Sequence, residues 1–210
     1  MYSAITLFNS TMSKGKDIGE LKSEIIRKTI HFLVALVPSM AAINKTATVA
    51  LLMIGVLGYT LMEYLRFSGI KVPVVSSLTS LVSRPREIGH FVMGPVTLGL
   101  GVLLALLLYP SSAAIIAIYA LAFGDGISSL VGKFFGKWRP AFLLGKSVEG
   151  SIACFVSVFV SAYFVCGNMN IALVAAFTAM VVEAMPLGDY DNLAIPVTVG
   201  FAVQLASISF

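Results

Sequence analysis

Residues 123–155, FGDGISSLVGKFFGKWRPAFLLGKSVEGSIACF, carry acidic, basic and hydroxyl side chains between two apolar stretches. Asp125 stands between two glycines, which free its carboxylate from side-chain crowding, and Ser128 and Ser129 follow at helical spacing. An aspartate with nearby hydroxyls and a basic loop suits Mg²⁺, because magnesium prefers one or two carboxylates, with waters and phosphate oxygens completing its shell. The first half of this stretch therefore indicates a site for magnesium and phosphate.

The second half of the stretch opens a new apolar segment with polar residues. Lys146, Ser147 and Glu149 stand where helix-start amides, a lysine and hydroxyl groups can meet an anion. The stretch is not a P-loop, because no Gly-Lys-Ser/Thr closes a loop of the required spacing. Gly132 and Gly136 are four residues apart, a spacing that favours close helix packing.

Polar residues also gather towards both ends of the chain. Arg27 and His31 are four residues apart, so they project together where a helix enters the first apolar segment. Glu183 closes a later apolar segment, Asp189 and Asp191 follow in a tight turn, and Asn192 comes next. Two acids in a turn are common on a surface, but these two groups adjoin an apolar span, which favours a function.

Two acid–base pairs with a spacing of three residues stand elsewhere, Glu63 with Arg66 and Glu87 with His90. A Glu-x-x-His pair can bind iron, but a di-iron bundle needs two such pairs and further glutamates. Only one is present, so we expect polar contacts that hold helix ends together.

The composition identifies the medium around these residues. The chain of 210 residues is 58% hydrophobic and only 11% charged, with a mean hydropathy of +0.96. A soluble domain has about 25% charged residues. The chain is therefore predicted to be an integral membrane protein. The first 13 residues lack the basic start and apolar core of a signal peptide, so no cleaved leader is expected.

Apolar segments bounded by turn residues predict the fold class: an all-α integral membrane protein with about seven transmembrane helices. The spans are placed at about 29–43, 47–65, 88–108, 112–131, 148–166, 171–187 and 193–210. Residues 17–31 are predicted to form an amphipathic helix that lies on the bilayer. Residues 1–28 are thus an N-terminal segment with this interfacial helix, and residues 29–210 are one transmembrane catalytic domain.

Charge predicts the orientation. With the N-terminus inside, all of the 14 Lys and Arg residues except Lys45 fall on the cytoplasmic side. The 10 acidic residues fall in the same segments or at the inner ends of spans. Ionisable groups below a membrane surface are costly and usually functional. Carboxylates for a metal, cations for phosphates and an apolar surround for a lipid indicate phosphoryl chemistry on a lipid with a cytoplasmic nucleotide.

These residues resemble the CTP-dependent lipid-alcohol kinases, a family with dolichol, phytol and farnesol kinases and a CTP-dependent diacylglycerol kinase, related to phosphatidate cytidylyltransferases. The matching segments run in the family's order: RKTIH (27–31), EYLR (63–66), RE (86–87), FGDGISSLVGKFFGK (123–137), KSVEGS (146–151), VEAMP (182–186) and DNLAIP (191–196). The resemblance implies transfer of the γ-phosphate of CTP to a polyprenol-like, phytol-like or diacylglycerol alcohol, with Mg²⁺. CTP is expected to be preferred over ATP on this resemblance alone.

The chemistry of the residues and the resemblance to the lipid kinases together predict the site residues. The predicted catalytic residues are Asp125, His31, Asp191 and Glu149. The predicted metal ligands are Asp125, Asp191 and Glu183. The predicted nucleotide and phosphate contacts are Arg27, Lys28, Gly124, Gly126, Lys133, Lys146, Ser147 and Asn192. The proton acceptor for the alcohol is His31 or one of the aspartates, and the sequence leaves this choice open.

The predicted partners are the lipid bilayer, the lipid alcohol and CTP, with no nucleic acid. Two other functions remain open from the sequence. A cytidylyltransferase would make a CDP-lipid and release pyrophosphate, whereas a kinase leaves CDP. A small-solute transporter would place polar groups at the midplane and show an internal repeat; the polar residues here crowd one side.

Overall fold

A computed structural model describes residues 23–70, 72–73, 79, 87 and 89–209, and the regular structure in these ranges is helical throughout. The first helix, α1, covers residues 23–34, so residues 17–22 of the predicted amphipathic helix lie outside the described ranges. Helix α2 is Val37–Phe67 and has a proline in its first turn, where the missing N–H is not needed.

Helix α2 breaks at Asn44, whose backbone is extended (φ −154°, ψ 98°). The Asn44 Oδ1 atom accepts a hydrogen bond from the backbone N–H of Ala47 at 3.0 Å and so caps the longer part of the helix. The break falls in the predicted connection 44–46.

Helix α3 is Gly94–Leu108, and Tyr109 and Pro110 separate it from the helix at the centre of the fold. This central helix is continuous but contains one irregular turn, and its first part is α4, Ser111–Tyr119. A π-helical turn, Ala120–Asp125, follows and passes directly into α5, Gly126–Phe134. Single π-helical turns of this kind are frequent at functional sites.

Three further helices complete the described fold: α6 (Val148–Cys166), α7 (Met169–Glu183) and α8 (Asp191–Ser209). Ser147 caps α6 by accepting the Gly150 N–H at 3.1 Å. Asn168 caps α7 in the same way, through the Asn170 N–H at 2.9 Å. The predicted connection 167–170 therefore holds the end of one helix and the start of the next.

Length and composition identify the membrane-spanning part. Four described helices are long and apolar enough to cross a membrane: Val37–Phe67, Ser111–Phe134, Val148–Cys166 and Gly188–Ser209. Gly94–Leu108 and Met169–Glu183 are shorter apolar helices. The all-helical membrane fold is thus confirmed, and the total of seven crossings stays a prediction.

The Ser111–Phe134 helix lies in the middle of the bundle and packs against α6, α7 and α8. Its buried face is rich in alanine, as is that of α7. Small residues let neighbouring helices approach closely, which is how membrane helices gain packing contacts. Cys154 on α6 is fully buried in this core, where the free cysteine packs as a small hydrophobic residue.

Candidate functional site

A charged cavity of about 420 Å³ lies where α1, α5, α6, α7 and α8 meet. Its basic lining residues are Lys28, Lys133, Arg139 and Lys146. Its acidic lining residues are Glu24, Asp125, Glu183 and Asp191. The fold thus brings together groups that are up to 167 positions apart in the chain, from Glu24 to Asp191. We call this space the charged cavity.

Asp125 lies at the inner wall of the charged cavity and is only 2% exposed. Its Oδ2 atom accepts a hydrogen bond from Lys28 Nζ at 2.6 Å. Nδ1 of His31 lies 3.1 Å from the same oxygen but makes no hydrogen bond in this orientation. Ser129 Oγ is 3.4 Å from the other carboxylate oxygen. The Asp125 charge is therefore balanced by α1, from a residue 97 positions earlier.

The two glycines beside Asp125 allow α1 and α6 to pack against the π-helical turn. A Cβ atom on Gly124 would stand 2.7 Å from Val158 Cγ2 on α6. One on Gly126 would stand 2.8 Å from the Phe32 ring on α1. Neither glycine lines the charged cavity, so their observed role is close packing, and it is this packing that brings Lys28 to Asp125.

A second ion pair, between Lys146 and Glu183, also lines the charged cavity. Lys146 Nζ donates to Glu183 Oε1 at 2.7 Å and also to the Glu183 backbone carbonyl. Burial disfavours the charged form of Lys146, but the Glu183 carboxylate outweighs this and holds the pKa of Lys146 above its ordinary value. The other carboxylate oxygen, Oε2, is buried and has no hydrogen-bond partner. Buried oxygens of this kind usually have a partner, so Oε2 is available to a ligand.

The loop between α5 and α6 is held in shape by two charged side chains. Arg139 donates to the carbonyl oxygens of Gly145 at 2.6 Å and Gly132 at 2.7 Å. Glu149 Oε1 accepts the backbone N–H groups of Lys137 at 3.0 Å and Trp138 at 3.2 Å. The structure places Glu149 outside the lining of the charged cavity, so its observed contacts order the loop.

Three predicted site residues line a small cavity of about 40 Å³ beside the first one: Arg27, His31 and Asn192. Asn192 Nδ2 donates to Thr97 Oγ1 at 3.1 Å and to the Gly94 carbonyl at 3.3 Å, which fastens α8 to α3. Arg27 lies 3.3 Å from Glu24 on its own helix.

The predicted contact at a helix end is present at Glu63. Arg66 donates to both oxygens of Glu63 at 2.7 and 2.6 Å, and the Val92 N–H donates at 2.8 Å. Arg66 also donates to the His90 carbonyl at 2.8 Å. These bonds fasten the segment before α3 to the end of α2.

The donor set of the charged cavity fits Mg²⁺. Glu183 has its free buried oxygen, and Asp191 shares the cavity with it. Within the described ranges no three His, Cys, Asp or Glu side chains are grouped as metal ligands. Magnesium does not require such a group, because waters and phosphate oxygens normally complete its shell. Asp125 is less open to a metal, since Lys28 already occupies one of its oxygens.

The sequence predicted most of the charged lining, but it missed Glu24, Arg139 and the apolar wall formed by Leu144, Met185 and Pro186. Arg139 stands in the basic loop that the sequence shows, and this loop was the available signal. The sequence predicts that Lys28 contacts a phosphate group, whereas in the structure Lys28 forms an ion pair with Asp125.

The relatives of this chain include one uncharacterized protein and two proteins that are named as kinases. An uncharacterized protein of Methanocaldococcus jannaschii is 31% identical over 86% of this chain and 93% of its own length. The CTP-dependent diacylglycerol kinase 1 of Schizosaccharomyces pombe is 27% identical over 84% of this chain and 90% of its own. A protein of Oryza sativa subsp. japonica, named a probable chloroplastic phytol kinase 1, is 27% identical over 65% of this chain and 49% of its own.

The predicted resemblance to the CTP-dependent lipid kinases is thus confirmed. No family model matches the chain. No solved structure matches it either.

Proposed function

Since the chain belongs to one family with the Methanocaldococcus jannaschii protein and is similar to lipid kinases, we propose that it is a membrane kinase that transfers the γ-phosphate of CTP to a lipid alcohol. The observation that carries this proposal is the charged cavity, where four cations and four carboxylates meet at one end of an apolar helix bundle. Phosphoryl transfer depends mainly on positioning and on neutralising phosphate charge, and this lining supplies the groups for both.

The cations of the charged cavity bind the triphosphate. Lys133, Arg139 and Lys146 come from α5 and the loop after it, so they face a ligand from one side. Lys146 stays protonated through the physiological range because its pKa is raised. Glu183 holds the Lys146 ammonium in place through two contacts.

The alcohol hydroxyl is activated at the Asp125 and His31 pair. The alcohol oxygen forms a bond to the γ-phosphorus while the bond from that phosphorus to the bridging oxygen of CDP breaks, so the products are the lipid phosphate and CDP. The alcohol proton passes to one member of the pair, whose atoms lie 3.1 Å apart. Lys28 keeps the Asp125 carboxylate fixed in position during the transfer.

Mg²⁺ supplies charge neutralisation at the transferring phosphoryl group. Glu183, through its free oxygen, and Asp191 are the residues that would hold it. Asp125 would join them through Oδ1, because Lys28 occupies only Oδ2.

The decisive experiment supplies the purified protein with γ-labelled CTP, Mg²⁺ and a panel of prenols, phytol and diacylglycerol. We expect label in the extracted lipid and release of CDP, with CTP turned over faster than ATP. Release of pyrophosphate with formation of a CDP-lipid would assign a cytidylyltransferase instead. No labelled lipid from any acceptor would refute the kinase.

The charged cavity is proposed to open to the cytoplasm, on the positive-inside argument. Lys137→Cys lies in the loop at the cavity and Asn168→Cys lies between α6 and α7. A membrane-impermeant thiol reagent should label Lys137→Cys only from inside and Asn168→Cys only from outside. Both tests use a background without the two native cysteines. Labelling of Lys137→Cys from outside would reverse the orientation.

A further inference from the structure

An apolar cavity of about 840 Å³ runs along α6 on the other side of the π-helical turn from the charged cavity. We call it the apolar groove. The hydroxyls of Ser157 and Ser161 are on its surface but already bond to backbone carbonyls, at 3.0 and 3.1 Å respectively. The groove therefore offers a ligand almost no hydrogen bonds, and it suits a hydrocarbon.

Small residues on one face of α6 make the groove. Ala153, Ser157 and Ser161 follow each other at a spacing of four, so they form a recessed floor on one side of the helix. The rings of Tyr119 and Phe123, whose centroids are 5.4 Å apart, form a wall on the central helix. The recess therefore follows from the regular spacing of small residues in the sequence of α6.

Three helical segments pass from the charged cavity into the apolar groove. Lys28 lines the cavity, and Ala35, two helical turns later, lines the groove. On α6, Gly150 lines the cavity and Ala153 the groove. The closest connection is the π-helical turn, in which Phe123 lines the groove and Asp125 lines the cavity. The groove therefore begins where the charged cavity ends.

The length of the groove matches one leaflet of a bilayer. It extends along α6 from Ala153 to Val165. Twelve residues of α-helix rise about 18 Å, and half of a bilayer's hydrocarbon core is about 15 Å. A chain that begins at the charged cavity would therefore end near the middle of the membrane.

We propose that the apolar groove binds the single hydrocarbon chain of the acceptor alcohol and places its hydroxyl end at Asp125. The inference rests on the proposed kinase function, and it adds the site and the class of substrate, a single-chain alcohol of about one leaflet's length. The groove then sets the preference for chain length, because each buried methylene adds binding energy while the hydroxyl chemistry stays the same.

The first test measures chain-length preference. Prenols of one, two, three and four isoprene units share one hydroxyl end, and the wild-type kcat/KM should rise with length. Ser161→Phe fills the floor of the groove and should lower the preference for the four-unit over the one-unit alcohol by at least about tenfold. The matched control is Ser207→Phe on α8, where the serine also bonds only its own helix, to Val203.

Two results would overturn the assignment: a wild-type enzyme indifferent to chain length, or Ser161→Phe with the wild-type preference. The control should keep that preference. Ser207 lies outside the lining of the groove and the charged cavity.

The second test does not depend on turnover. A prenol with a diazirine at the tail is photo-crosslinked to the protein in vesicles, and the labelled peptide is mapped. Crosslinks should fall in residues 153–165, be competed by unlabelled prenol and not by phosphatidylcholine, and weaken in Ser161→Phe. Crosslinks spread over α2 and α8, or competed equally by phosphatidylcholine, would show ordinary bilayer contact and refute the site. If no alcohol is phosphorylated but this pattern appears, the kinase fails and the chain-binding site stands.

Discussion

Two carboxylates in this chain, Asp125 and Glu63, are almost equally buried but have different surroundings. Glu63 is held at both oxygens by Arg66, three residues away, and by a backbone N–H, and it lines none of the three cavities described above. Asp125 is held by Lys28 on a distant helix and borders the charged cavity. Burial of a charge in a membrane protein therefore does not by itself identify a functional acid. The feature that separates the two carboxylates is the cavity beside Asp125.

The largest expected effect tests Asp125. Asp125→Asn keeps the size of the side chain but removes its charge, so turnover should fall by at least about a hundredfold. Steady-state kinetics with CTP and the best acceptor measures this. Because Lys28 is then left without a charged partner, the melting temperature in detergent is measured in parallel. Near-normal turnover in a folded Asp125→Asn protein would remove the residue from the mechanism.

The same chemical change at Glu63 should affect stability instead. Glu63→Gln leaves Arg66 without its charged partner and weakens the link to the segment before α3. Breaking a buried ion pair is strongly destabilising, so the melting temperature should fall by at least about 5 °C. The kcat/KM of the folded fraction should stay within about threefold of wild type. A hundredfold loss of kcat/KM without a change in melting temperature would place Glu63 in the site and end the contrast.

The smallest expected effect is at Glu149, which lies between the two cases. Glu149→Gln keeps an oxygen that can accept one N–H of the loop but loses the charge, so we expect about a fivefold rise in the KM for CTP with little change in kcat. Lys137→Ala is the control, because only the backbone of Lys137 contacts Glu149. A large loss of kcat in Glu149→Gln would support the original prediction that Glu149 is catalytic.

The fold was predictable to the extent that it is local. Apolar runs and turn residues placed the helix breaks at Asn44 and around Gly167, because capping and hydropathy depend on neighbours in the chain. The charged residues at helix ends were predictable for the same reason, because a charge beside an apolar run stands out in the sequence. Glu149 shows the limit, because a side chain at the start of a helix can face the cavity or the loop before it.

The sequence by itself determined that this is a helical membrane protein with acids and bases near the ends of its apolar segments. It could not determine which acid pairs with which base. Lys28 reaches Asp125 because Gly124 and Gly126 let α1 and α6 close on the π-helical turn, which also turns Phe123 towards one cavity and Asp125 towards the other. Only tertiary structure decides such contacts, since they depend on how helices pack and on one extra residue in a turn.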